Sequence, residues 1–478
     1  MEVNCFVEKN PIVETLIQHL ADSPQTFKPK IAVADEMFLY QLDELEDRNF
    51  DQALVSYYCL GESLCNSIQQ IVNYYFGGFD KISSFLDFAC GYGRSTRFLV
   101  QKIPAEKLWV SDIYADAVKF QTEYFGVNGI VSTQKPEDYP SHQKFDCIYA
   151  GSFFSHIPPQ TFKRWMHKLY HLLNPEGLLI FSVLDESLLP TSTPMASNGI
   201  LFSSESSESK TLERKDYGTT YVNTTYIRQL INHISLNKGT IHRIKKGLSH
   251  YQDLYLVTPQ ANQELTNFKF KYSLEGYLDN CNITETGQIQ LSGWVMDDNL
   301  EGQIEAVQIV VNHQVIQSCQ VTDERPDLVE YFQTSKALKT GWKCVIDAGK
   351  ICPQDMIIIQ AINTVGKIGI IAVDSIKNIK QRTWWREELF RTRNIVKERE
   401  TQLQKLQGKL TASEYTLQQA RDKLTQVETE LGQCQFQLES SQFLLEQSQT
   451  EITAMKSSKF WKLRTQWLQL RERLRKMI

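Results

Sequence analysis

Residues 85–100 read FLDFACGYGRSTRFLV, an apolar run that breaks at two glycines and then resumes. Leu86 and Phe88 supply a buried strand, and Gly91 and Gly93 let the backbone turn sharply and approach a ligand closely. Ser95 to Val100 restart the chain as a helix, whose first N–H groups favour an anionic group. Asp87 stands just before the glycines, where a carboxylate can orient a charged ligand group. Nineteen positions beyond Gly93, Asp112 closes a second apolar strand, Leu108–Ser111. At that spacing an acid commonly takes both hydroxyls of a ribose. This order of strand, glycine loop, helix, strand and acid predicts a site for a nucleotide-like ligand.

At 478 residues the chain is too long for one core, so two or three domains are expected. A formal charge of −5 argues against nucleic acid as the main partner, because basic residues cluster only at the extreme C-terminus. The ten cysteines include no C-x-x-C pair, which reads as reduced thiols in a cytosolic protein, not a disulfide framework or a zinc site. No group with metal-ligand spacing stands out. Met1–Asn10 has acidic residues and no apolar centre, and no apolar run is long enough to span a bilayer. A cytoplasmic protein is therefore expected, one that touches a membrane only from its inner face.

Thr96 stands where a dinucleotide-binding loop would carry its third glycine, which turns the reading away from NAD. The run D-F-A-C-G-Y-G instead resembles motif I of class I S-adenosylmethionine-dependent methyltransferases, D-x-G-C-G-x-G, with Ala89 at the first glycine. The resemblance extends over roughly residues 50–260 and implies a Rossmann-like, doubly wound α/β sheet with S-adenosylmethionine as cofactor. It implies that Asp87, Ala89, Gly91 and Gly93 hold the methionine end of the cofactor and Asp112 its ribose. Ile113 and Ser152 are further cofactor contacts on the same reading. Many relatives place an acid directly after the third strand, here Ile130–Thr133, to meet the adenine amino group. In this chain the next acids, Glu137 and Asp138, come several positions later.

Helical spacing over Pro11–Asp22 and Ala53–Phe76 predicts N-terminal helices, with Tyr40, Tyr57, Tyr58 and Gly61 either lining the cofactor site or packing on the sheet. A fourth strand, Phe145–Ala150, runs into the loop Gly151–Pro158. In an open parallel sheet, such a loop faces the ligand. His156 in that loop is the candidate catalytic base, able to take a proton from an acceptor hydroxyl, or a histidine bonded to backbone. A fifth strand follows Asn174–Gly177. Asp185–Tyr217, with its serine-rich centre Ser203–Ser209, reads as a substrate lid. The segment Asp216–Tyr221 suits a polar, hydroxylated acceptor or caps the next helix, and His250–Val257 supplies a late strand.

Beyond Pro259 short β-rich runs at regular spacing predict a β-sandwich, with Trp294 and Trp342 in its core. SGWVMDD, DERPDLVEYF and TGWKCVID resemble a module appended to bacterial enzymes of surface polysaccharide assembly. From Leu389 to Ile452 an aliphatic residue recurs every seven positions, which predicts a self-associating coiled coil. Lys456–Ile478 has an apolar stripe and a basic face, the pattern for an anionic membrane surface or for a capping helix that packs back on the coil. The expected domains are an N-terminal helical extension (1–50), the methyltransferase domain (51–260), the sandwich (261–376), the coil (383–455) and the basic amphipathic helix (456–478). This layout resembles that of bacterial O-antigen chain-terminating methyltransferases, which implies methylation of a glycan or glycolipid hydroxyl. A small-metabolite methyltransferase and a non-catalytic coiled-coil scaffold of an envelope complex are the alternatives.

Overall fold

The computed structural model describes residues 10–44, 49–141, 143–190, 192–205, 212–262, 264–299, 303–332 and 334–476. The stretch Met1–Lys9 and most of the serine-rich centre, 206–209, lie outside the described residues. The chain divides into two compact units, Met1–Trp384 and Trp385–Ile478.

The first unit opens with helices α1 (Pro11–Leu20), α2 (Glu36–Glu44) and α3 (Phe50–Phe76). The Asn10 side chain caps α1 by accepting from Ile12 and Val13, and Asn49 caps α3 by accepting from Gln52. The sequence reading misses α2. Next come β1 (Phe85–Phe88), α4 (Thr96–Leu99), β2 (Leu108–Asp112), α5 (Ala115–Phe125), β3 (Asn128–Val131), β4 (Phe145–Ala150), α6 (Pro159–His171) and β5 (Leu173–Asp185). After them are β6 (Ile200–Ser203), β7 (Thr219–Val222), α7 (Thr224–Ile234), β8 (Thr240–Leu248) and β9 (Gln252–Thr258).

Strands β3-β2-β1-β4-β5 are parallel in that order. Antiparallel β9 adds to β5 along Leu179–Val183 and carries β8 on its far side. Because side chains alternate across a strand, Phe85, Leu178 and Ile180 join the core shared with α1, α3 and α5, while Leu86, Leu179 and Phe181 join the core under α6 and α7. Helices thus cover both faces, the arrangement that an open parallel sheet requires. Strand order switches between β1 and β4, which fixes the ligand crevice at their carboxyl ends.

Two expectations change here. The helix after the glycine loop is a single turn, α4, so the argument from a helix N-terminus loses its basis. The segment 185–217 is not all loop, since Ile200–Ser203 pairs antiparallel with β7 and extends the sheet beyond the end of β5.

The rest of the unit holds β10 (Glu275–Ile283), β11 (Gln288–Met296), β12 (Ile304–Val311), β13 (Gln314–Cys319), β14 (Val321–Asp323), α8 (Pro326–Phe332), β15 (Gly341–Asp347), β16 (Met356–Asn363) and β17 (Ile368–Ser375). They form two four-stranded antiparallel sheets, β10-β11-β15-β14 and β13-β12-β16-β17. Ile289 and Leu291 of the first meet Val307 and Ile359 of the second around Trp342, in one buried cluster. Trp294 instead packs edge-on to Phe332 at 5.4 Å. The opposite face of the second sheet is covered too: Val310, Ile358 and Val373 join Ile12 and Leu16 of α1. Cys319 and Cys344 form a disulfide between β13 and β15, which corrects the expectation of reduced thiols throughout. They lie 25 residues apart, and facing sheets bring them together where spacing gave no signal.

The first unit ends in the start of α9 (Ile376–Ser457), which leaves β17 without a linker and buries Ile376 and Ile379 in the same cluster. Arg382 pairs with Asp374, and Asn378 donates to Asp51 at 3.0 Å. These contacts explain why the helix begins before the expected residue 383. In the second unit α9 runs unbroken to Ser457. Ser458 then caps α10 (Lys459–Arg475), its hydroxyl oxygen accepting from the Trp461 N–H at 3.2 Å. Among the described residues no helix is long and apolar enough to cross a membrane.

His250, in the turn between β8 and β9, joins the large sheet to the antiparallel ones: its Nδ1 lies 3.2 Å from Asp298 and 3.5 Å from Glu275. Burial pushes its pKa down, but the Asp298 and Glu275 carboxylates together outweigh it and raise the value above 6.5. A raised folded-state value means that this contact stabilises the fold fully below about pH 6.5 and is lost as pH rises through the folded value. His250→Gln should therefore cost more unfolding free energy at pH 5.5 than at pH 8.5 in paired urea titrations. An equal loss at both values would exclude the ionic contribution.

Candidate active site

The site is built on the turn after β1. Ala89, Gly91 and Gly93 all have positive φ, at 58°, 55° and 85°. The Ala89 N–H donates to the Ser111 carbonyl at 2.7 Å, so β2 holds the first residue of the loop in that conformation. Alanine at the first motif position thus adopts the left-handed backbone that glycine would take more cheaply. A Cβ on Gly93 would lie 2.7 Å from Phe125 and 2.9 Å from Gln121 of α5, whereas one on Gly91 would meet nothing within 4 Å. Gly93 is needed for packing behind the loop. Gly91 faces open space in front of it.

The two carboxylates expected to bind cofactor stand in different surroundings. Asp112 is held from behind: its Oδ2 accepts the Gly91 N–H at 2.8 Å and its Oδ1 the Tyr114 N–H at 3.0 Å. Burial raises its pKa, while those N–H groups pull it back towards the ionised form. Asp87 is buried within β1, one residue before its end, with the Thr96 hydroxyl donating at 3.3 Å. Burial, aided by the negative field of Asp112, pushes its pKa up to about 7, against hydrogen bonds from Thr96 and Ser95. Such a carboxyl ionises readily once a cation adjoins it.

At the carboxyl ends of β2 and β3 a cavity of about 500 Å³ opens, lined by Ile113, Tyr114, Ser132, Thr133, Lys135 and Asp138, among others. The displaced acids are thereby sorted. A short turn, Pro136–Asp138, brings Asp138 to the cavity wall, while Glu137 turns away to pair with Arg164. Leu212, from the far end of the 185–217 segment, reaches the same cavity.

Beyond β4, Ser152 has φ 55° and belongs to a closed ring of hydrogen bonds. Its N–H donates to Ser182 Oγ at 2.7 Å, Ser182 donates to Gln252 Oε1 at 2.6 Å, and Gln252 Nε2 donates to Ser152 Oγ at 3.0 Å. The ring ties β4, β5 and β9 at the ligand end of the sheet. His156 is nearly buried, its ring stacked on Tyr217 at 4.7 Å and its Nδ1 3.0 Å from the Gly218 carbonyl. A carbonyl only accepts, so Nδ1 carries a proton in this contact. Gly218 and Thr220 also donate to the carbonyls of His156 and Ser155, at 2.8 and 2.7 Å. The hydroxyl-rich segment after the insertion is thus stitched to the β4 loop.

Sequence reasoning misses the group that supports the loop from behind. Arg97 of α4 is wholly buried. Its guanidinium donates to the carbonyls of Gly93, Pro29 and Lys30 at 3.2, 3.1 and 3.3 Å and to the Tyr57 hydroxyl at 3.1 Å. Tyr57 in turn donates to Asp35 at 2.5 Å. Tyr57 and Tyr58 therefore pack on Arg97, and Gly61 lets α3 approach the Arg94 carbonyl, where a Cβ would come within 2.5 Å. Tyr40 is substantially exposed. The one available signal was a second arginine, three positions after Arg94, running directly into the apolar Phe98–Val100.

The glycine loop and the acids around it resemble the cofactor site of a class I, S-adenosylmethionine-dependent methyltransferase domain. Residues 85–177 match the family model described as a methyltransferase domain. Over 104 residues the chain is 28% identical to a malonyl-[acyl-carrier protein] O-methyltransferase of Calditerrivibrio nitroreducens, a match spanning 22% of this chain and 39% of that protein. Solved structures that align with the chain include an S-adenosylmethionine-dependent methyltransferase from Clostridium acetobutylicum, at 14% identity and TM-score 0.31, covering 47% of this chain and 98% of that one. Another is a Pyrococcus horikoshii protein at 19% identity and TM-score 0.30, covering 41% and 90%.

The residues present fit S-adenosylmethionine: Gly91 faces open space, the buried Asp87 suits a cationic group, and Asp112, Ile113 and Asp138 stand at or beside a polar cavity. Gly93→Ala should lower unfolding free energy by about 1–3 kcal/mol through the clash with α5. Gly91→Ala should cost about 1 kcal/mol, yet weaken cofactor affinity more than its stability loss explains. Thermal melts alongside ligand titration separate the two. Arg97→Met should cost about 3–5 kcal/mol in urea unfolding by leaving Asp35 and its neighbours without their cation, and Arg97→Lys should recover little of it.

Proposed function

We propose that this chain transfers a methyl group from S-adenosylmethionine to a hydroxyl oxygen of a polar, glycan-like acceptor. The observation that carries the reading is an open cavity at the ends of β2 and β3 together with two buried acids, Asp112 held by backbone N–H groups and Asp87 reached by the Thr96 hydroxyl. When bound, the cofactor supplies an electrophilic methyl group on a positively charged sulfur. Asp87 and the loop 89–93 would hold its methionine end, Asp112 and Ile113 its ribose, and Asp138 would meet the adenine. Positioning and exclusion of water are the main contributions of such a site. His156, held in the β4 loop by its Nδ1 contact to the Gly218 carbonyl, is the residue proposed to take the acceptor proton.

For the acceptor, the support is contextual. The hydroxyl-rich segment at Gly218–Thr220 is bonded through its backbone to the loop that carries His156, and two antiparallel sheets, read as a β-sandwich, follow the catalytic domain. The basic helix α10, with Phe460, Leu463, Trp467, Leu470 and Leu474 exposed, suits attachment to an anionic membrane on which a lipid-linked glycan is presented. A second reading, transfer to a carboxyl group, draws support from the malonyl-[acyl-carrier protein] relative.

The test is calorimetric titration of the full chain with S-adenosylmethionine at pH 6, in buffers of different ionisation enthalpy. Saturable binding should accompany proton release. The release should vanish in Asp87→Asn, and affinity should fall at least tenfold in Asp112→Ala. Absence of binding would refute the enzyme reading. Methyl label from turnover with glycan acceptors should resist mild alkali as an ether, and release of methanol would favour the carboxyl ester instead.

A further inference from the structure

We infer that α9 pairs with a second copy of itself as a parallel, in-register, two-stranded coil. The row of every seventh residue from Leu403 to Ile452 stays between 49% and 60% exposed in the single chain. A solvated helix has no use for an unbroken aliphatic row at a seven-residue period, and a partner helix of the same period buries it. A second row, three positions further along, completes the seam and contains Ser413, Ala420, Cys434, Ser441 and Ser448. Side chains this small fill the narrow axis between two helices, and would leave voids along the wider axis of three or four.

Direction follows from the charges beside the seam. In a parallel pair in register, the residue just before each row position faces the second copy's residue five places later. That rule sets Lys409 against Glu414, Lys423 against Glu428 and Glu451 against Lys456, each twice by symmetry. Every other such combination between 402 and 456 includes a neutral residue, so no like charges meet. The antiparallel alignment that overlaps the whole row puts Leu424 opposite Cys434 and leaves both Glu414 and Arg421 facing glutamines. Parallel pairing also makes Cys434 its own neighbour across the seam. The antiparallel alignment separates the two Cys434 residues by about 15 Å along the axis.

The experiment uses the full chain. Light scattering should give twice the 55.3 kDa chain mass. Oxidation with diamide, which takes two electrons and two protons from a thiol pair, should then yield a dimer on non-reducing gels that Cys434→Ser abolishes. The charge reversal Lys409→Glu/Lys423→Glu should raise the dimer dissociation constant about tenfold or more. Adding Glu414→Lys/Glu428→Lys should restore it. A monomeric chain or a three-chain mass would overturn the inference. So would a dimer that resists Cys434 cross-linking, or one whose charge reversal is not rescued.

Discussion

A guanidinium with no access to water governs the first unit. Arg97 must find every partner inside the protein, since an unpaired buried cation costs several kcal/mol. It finds them on three separate pieces of chain: the glycine loop at Gly93, the extended stretch at Pro29 and Lys30, and α3 at Tyr57. Those pieces cannot drift apart without stripping the charge of its hydrogen bonds. Asp35 extends the same constraint to α2, because it accepts from Tyr57 and caps that helix through the N–H groups of Met37 and Phe38. The N-terminal helices are thereby part of the loop's support.

Against that fixed backing, two identical carboxyl groups acquire different chemistry from burial and donors alone. Asp112 has backbone N–H groups aimed at both oxygens and keeps its preference for the charged form better than Asp87, whose donors are the hydroxyls of Thr96 and Ser95. The contrast reflects topology. Asp112 ends a strand whose neighbours turn back over it, while Asp87 sits mid-strand between β2 and β4, where backbone amides are already committed to the sheet. Only hydroxyls remain to reach it, and burial then dominates.

The parallel strands were legible in the sequence because apolar runs bounded by glycine and acid leave little choice of fold, and Asp87, Gly91, Gly93 and Asp112 are marked by residue type at fixed spacing. What escaped reading depends on contacts between distant positions. Arg97 looks like one more residue of a helix until the carbonyls of residues 28–30 are brought to it. Asp138 appears misplaced by linear distance from β3, and a single turn returns it to the cavity. The Cys319–Cys344 bond needs two facing sheets, and β6 pairs only because β7 follows across a long insertion. Tyr57 and Tyr58 read equally well as lining or packing, and the buried cation decides for packing.

The ring of Ser152, Ser182 and Gln252 has a consequence for synthesis on the ribosome. Residues 85–185 can emerge with the whole glycine loop, yet β5 then presents a bare, strongly apolar edge until β9 arrives some seventy residues later. An open edge of that kind is the hazard a nascent chain must survive, by delay or by chaperone capture. Gln252 is the first residue of the strand that covers it, and the same side chain closes the hydrogen-bond ring at the ligand end. Completion of the sheet and maturation of the site are one event, so a nascent chain stalled before β9 would carry the motif without a finished place to bind.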